Sequence, residues 1–142
     1  MTDTETADLK CVIVIDANLP TGPIANTAAV LALSLGKAFP GLIGDSLPDN
    51  SGHLRAGITT TPIPILRADG ARLRNLRGEL KEHEPQLTVI DLTSATMTTK
   101  SYEAYAEKLQ STPVDELEYL GIALCGPKKT VNKFTGNLGL LR

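Results

Sequence analysis

Apolar runs and stretches of helical periodicity alternate along the chain. Cys11 to Ile15 is a near-continuous β-branched run, the pattern of a strand covered on both faces. Asp16 to Gly22 reads as the loop that follows, with Thr21 as N-cap and Pro23 as the first helical residue. Ile24, Ala28, Leu31 and Leu35 then recur at helical spacing until Gly36-Lys37. Ala25, Ala29 and Ala32 make this helix apolar nearly all round, which predicts that it lies pressed against a sheet. Residues 41–56 are punctuated by Gly41, Gly44, Pro48 and Gly52 and predict a surface loop with a short strand at Leu42-Ile43. Residues 57–68 read as strand, but Pro62 and Pro64 cannot donate to a ladder and place part of it at an edge or bulge.

Asp69 is placed to cap a helix whose buried stripe is Leu73, Leu76 and Leu80 and which Pro85 ends. Leu87–Leu92 is the next strand, residues 93–99 a threonine-rich loop, and Tyr102, Tyr105, Ala106 and Leu109 the apolar face of another helix. Leu117–Leu124 is again a strand. The run breaks at Gly126-Pro127, and a short basic helix follows. Gly136 suits the left-handed residue just past its end. Leu138, Leu140 and Leu141 predict a last strand tucked into the fold. This alternation predicts an α/β three-layer sandwich with a mixed, mostly parallel sheet. No repeat or linker interrupts it, so residues 10–142 read as a single domain behind a flexible tail over residues 1–9.

Composition narrows the classes. At 142 residues and 42% hydrophobic, the chain is long enough for one core, built from Leu, Ile, Val and Ala because aromatics are only 4%. A net charge of −2 gives no global pull toward nucleic acid, so an RNA contact needs a local basic face. Residues 1–8 lack the blocks of a secretion signal, and no apolar run approaches the ~20 residues of a membrane helix. A soluble cytoplasmic protein without membrane contact is expected. Cys11 and Cys125 each sit in an apolar run and read as small buried hydrophobes; neither their number nor their spacing suggests a disulfide framework or a zinc site.

In an open α/β sheet, ligands sit at the carboxyl ends of strands. Here those ends carry Asp16-Ala17-Asn18 and Asp91 through Thr96. If their strands are neighbours, Asp16 and Asp91 share a cleft, where one carboxylate could serve as general base. The competing reading is that each Asp braces its own loop. Thr93, Ser94 and Thr96 suit turn and cap roles, or the orienting of a water or carbonyl. His53 and His83 read as exposed. A nucleophile elbow, a Cys/His pair, a calcium loop and the glycine-rich nucleotide motifs are all missing, and neither metal nor organic cofactor is indicated. Arg74, Arg77 and Lys81 share one helix face, and Lys128 and Lys129 open the last helix, where a phosphate could bind; solvated faces balanced by Glu79, Glu82 and Glu84 are the simpler reading.

Lys10-Cys-Val-Ile-Val-Ile followed by Leu19-Pro-Thr-Gly-Pro-Ile-Ala resembles the opening of type 2 peptidyl-tRNA hydrolases. Ile122-Ala-Leu-Cys-Gly-Pro resembles their last core strand, and Val131-Asn-Lys-Phe-Thr-Gly-Asn-Leu-Gly-Leu-Leu their C-terminal segment. Ala25-Asn26, Pro62–Leu66 and Lys128–Lys133 resemble more closely a bacterial family of unknown function with that fold. The hydrolase resemblance implies Asp91 and, approximately, Thr96 as catalytic candidates, with Asp91 as base or water-orienting group, and the strand-end position adds Asp16. Asn18, Asn26, Thr93, Lys128 and Lys129 are the substrate-binding candidates. It also implies a small-molecule or peptidyl ligand and a homodimer. The chain departs from the hydrolases at Thr21-Gly22-Pro23, where they carry a lysine, at Ala95 and Tyr119, where they carry threonines, and in an inserted helix between Met97 and Glu116. The leading expectation is a polar cleft that binds, and on the stronger form hydrolyses, such a ligand. The alternative is a non-catalytic RNA- or protein-binding module.

Overall fold

A computed structural model describes residues 8–142. Of the expected N-terminal tail, all but Asp8 and Leu9 lies outside the described residues, and Leu9 already opens the first strand. The elements are β1 (Leu9–Asp16), α1 (Thr21–Ala38), β2 (Leu47–Pro48), β3 (Leu54–Arg55), β4 (Ile65–Ala68), α2 (Gly70–Leu80), β5 (Thr88–Thr93), α3 (Tyr102–Ser111), β6 (Tyr119–Pro127) and α4 (Lys128–Thr135).

The main sheet has four strands in the order β4-β1-β6-β5. β1 pairs with β4 in parallel, while β6 runs antiparallel to both of its neighbours, β1 and β5. Three strands therefore share a direction, yet only one adjacent pair is parallel. The sheet is mixed, as expected, but it is not mostly parallel. The cause lies in α3: it joins β5 to β6 at one end of the sheet and is not a crossover helix.

β1 shows how the sequence builds two cores from one strand. Val12 and Val14 face one side, where they pack with Leu73, Leu76 and Leu80 of α2 and Val131 and Phe134 of α4. Cys11, Ile13 and Ile15 face the other and pack with Leu31 and Leu35 of α1. Gly121 of β6 lets α1 approach closely: a Cβ there would lie 2.7 Å from Thr27 Cγ2 and 3.0 Å from the Val14 carbonyl. α1 nonetheless buries one stripe only; Leu33 is 79% exposed, because among the described residues no element covers the helix's outer side.

Several local expectations need adjustment. Cys11 and Cys125 face each other in the β1–β6 register and form a disulfide. Sequence spacing hid this, since the pairing depends on which strands are neighbours. Residues 57–64 are not a strand; one bridge joins Ile43 to Thr59, and the loop before them folds into the β2–β3 hairpin. α1 begins at Thr21 itself, with Pro23 inside the first turn, where a missing N–H costs nothing. Gly136 has φ −63°; glycine is needed there because a Cβ would lie 2.7 Å from the Asn132 carbonyl. His83 is half-buried, packed edge-on against Phe134. As expected, Asp69 caps α2, accepting from the Arg72 backbone N–H at 2.8 Å. The chain's last residues bridge Leu140 to Leu66 and shield part of the β4 edge.

Candidate functional site

β1 and β5 end on the same side as β4, and α2 begins there. A cleft of ≈ 360 Å³ opens at that end. Asp16 enters it from the end of β1, Arg74 from α2, Ser94 and Met97 from the turn after β5, and Glu118 and Tyr119 from the start of β6. This is the strand-end position at which open α/β sheets hold ligands.

Asp16 Oδ1 accepts the Asn18 backbone N–H at 2.9 Å, which braces the β1–α1 loop and leaves the other oxygen to the cleft. Arg74 is exposed and makes no ion pair among the described residues. Tyr119 is 8% exposed. Its hydroxyl takes no hydrogen bond from a described side chain, and among the described residues no buried side-chain polar atom is left without a partner. The hydroxyl is therefore not sealed from solvent, and the residue lines the cleft. Burial, followed by the nearby Asp91 carboxylate, raises the phenol above its ordinary value, against the opposite pull of Arg77 and Arg74. At neutral pH it is a protonated hydrogen-bond donor.

Asp91 faces the α2 side and is held there. Arg77 Nε donates to Asp91 Oδ2 at 2.7 Å and Nη1 donates to Glu84 Oε1 at 2.7 Å. One guanidinium thus clamps two carboxylates on a partly buried surface. Desolvation lowers the Arg77 pKa, but the bonds to Glu84 and Asp91 outweigh it and raise the net value. Asp91 lies opposite Ile122, which lies opposite Val14, so all of β6 separates it from the β1 line that ends in Asp16.

The other candidates fall in different places. Asn26 and Thr96 line a second groove, on the α1 face. Thr93 is buried, with its backbone N–H and hydroxyl at 3.3 and 3.0 Å from the Tyr105 hydroxyl. Asn18 is exposed in the loop beside Asp16. Lys128 and Lys129 line a hollow of ≈ 540 Å³ at the opposite end of the sheet. Of the eight candidates, then, only Asp16 lines the strand-end cleft. Arg74, Glu118 and Tyr119 were not candidates. Arg74 stood out in sequence only as part of a basic face, and Tyr119 only as a departure from a threonine. No group of three or more His, Cys, Asp or Glu side chains that could hold a metal occurs among the described residues. None of the described helices is long and apolar enough to cross a membrane.

Strand order and cleft define an α/β protein on a mixed four-stranded sheet. The chain belongs to the family described as "Protein of unknown function (DUF2000)", whose pattern it matches over residues 9–142. Its fold is shared by a solved structure of a protein of unknown function from Agrobacterium strain C58. The two are 21% identical, with a TM-score of 0.85 over 94% of this chain and 97% of that one. No curated protein is significantly similar.

Proposed function

We propose that this is a small-ligand-binding protein whose strand-end cleft takes an amino acid or short peptide. The observation that carries the reading is the Tyr119 hydroxyl, presented as a protonated donor from a buried ring in a cleft that also contains Arg74, Asp16 and Glu118. Asp16 and Glu118 would meet an ammonium group. Arg74 and the Tyr119 hydroxyl would meet a carboxylate or ester carbonyl. The reading takes residues 10–142 as one cytoplasmic domain with the fold of type 2 peptidyl-tRNA hydrolases, which the motif resemblance supports.

Hydrolysis of a peptidyl ester is the stronger form of the reading. Tyr119 would polarise the carbonyl, Asp16 would orient water, and Asp91 would set the position of α2 through Arg77. Titration of amino acids and dipeptides into the protein, followed by nuclear magnetic resonance, tests binding. Saturable shifts around Tyr119 that disappear in Arg74→Ala and Asp16→Asn are expected; no saturable shift at millimolar ligand would end the reading. A peptidyl-tRNA hydrolysis assay decides the stronger form: turnover must be lost in Asp16→Asn and reduced in Tyr119→Phe. The RNA-binding alternative has less support, because Arg77 of the basic face is already engaged by Asp91 and Glu84. A homodimer stays an expectation of the hydrolase resemblance, to be read from sedimentation.

A further inference from the structure

A groove of ≈ 370 Å³ lies on the other face of the sheet, between α1 and the start of α3. Asn26 and Val30, one turn apart on α1, form one wall. Tyr102 and Tyr105, three residues apart on α3, form the other, and Leu92 lies between them. Two of the chain's three tyrosines are therefore gathered in one groove of a protein without tryptophan.

The two rings differ in what holds them. The Tyr105 hydroxyl lies within hydrogen-bond distance of Thr93, so its ring is fixed in place. Tyr102 is 88% exposed, a large apolar face left open to water. The polar groups divide in the same way. Thr96 and Thr99 give their hydroxyl protons to the carbonyls of Thr93 and Ala95. Neither the Asn26 amide nor the Lys100 ammonium has a hydrogen-bond or ion-pair partner among the described residues. What is left open is two aromatic faces, an apolar floor, one amide able both to donate and to accept, and one cation.

We propose that this groove binds a small planar aromatic ring bearing an anionic group. The ring would stack on Tyr102 and Tyr105 and cover Val30 and Leu92, with Asn26 reading a polar ring edge and Lys100 meeting the anion. A nucleoside monophosphate and an aromatic carboxylate share this chemistry. The site is separate from the strand-end cleft and does not depend on the function proposed for that cleft.

Titration of isotope-labelled protein with adenosine monophosphate and, in parallel, with indole-3-acetate tests the site. Saturable shifts at Asn26, Lys100 and Tyr102 are expected with at least one probe, and the preferred probe identifies the source of the ring. Tyr102→Ala should weaken that binding about tenfold, the worth of one stacking partner. Asn26→Leu should weaken binding of the preferred probe, because the polar edge of its ring loses its partner. Both residues are exposed, so each variant is expected to keep the wild-type melting temperature. Failure of both probes to saturate at millimolar concentration would overturn the proposal. So would binding that is unchanged in Tyr102→Ala.

Discussion

Tyr119 links the cleft to the stability of the fold. Its raised pKa means that the folded state holds the phenolic proton more tightly than the unfolded chain, where the ordinary value is 10.0. That contribution is fully present below the unfolded value and is lost as pH rises through the folded one. Wild-type protein should therefore lose stability above about pH 10 more steeply than Tyr119→Phe, which has no proton to lose. Denaturant melts of both proteins from neutral to alkaline pH check this; parallel decline would dissociate Tyr119 from the alkaline limb. Arg77 makes a second residue-scale case. Arg77→Ala leaves Asp91 and Glu84 facing each other without their shared cation and should cost about 2 kcal/mol in denaturant melts. Arg77→Lys should recover less than half, because an ammonium cannot supply the two-armed fork. Asp91 was legible in sequence as a polar residue closing an apolar run. Its partner was not, since Arg77 reaches Asp91 from α2, which packs over the neighbouring strand β6.

At the scale of elements, sequence periodicity served best where one residue's chemistry fixed an end. Asp69 placed the start of α2 and Leu73, Leu76 and Leu80 its buried stripe, but the helix ends at Leu80 and a 3₁₀ turn over Lys81–His83 fills the span before Pro85. It served least where pairing is non-local, as in residues 57–64, whose β-rich composition finds no partner strand beyond one bridge. α3 lies between these cases. Its apolar spacing was readable, and the structure adds a cap, Ser101 accepting the Ala104 N–H at 3.0 Å. Yet α3 buries no residue fully, and a hydrogen-bonded contact to the sheet is the Tyr105 hydroxyl against Thr93. Elements with so little burial open at low free-energy cost. Hydrogen exchange across residues 102–111 should be faster than in α1 or α2, and Tyr105→Phe should speed it further while leaving β5 and β6 protected. Protection of α3 equal to that of α2 would show that the helix is held by more than this tether.

At the scale of the molecule, the cross-link between Cys11 and Cys125 joins the two central strands, β1 and β6. Neither cysteine announced it in sequence, because each looks like an ordinary core residue in an apolar run, and both are indeed fully buried. Only the strand order sets them opposite each other. The consequence follows from loop length: a bond across a separation of 114 residues restricts the unfolded chain and should stabilise the fold by about 4–5 kcal/mol in the chain-entropy account. Thiol titration of protein unfolded without reductant should find neither cysteine reactive, and reductant should lower the denaturant midpoint substantially. The fold itself should survive reduction, because β1 and β6 stay paired over seven positions and the two sulfurs remain inside an apolar layer. Far-ultraviolet circular dichroism of the reduced protein in the absence of denaturant should therefore match that of the oxidised protein. Two reactive thiols in the unreduced, unfolded chain would mean that the pair is a buried dithiol. The midpoint would then not respond to reductant, and the core alone would account for the stability of the sheet.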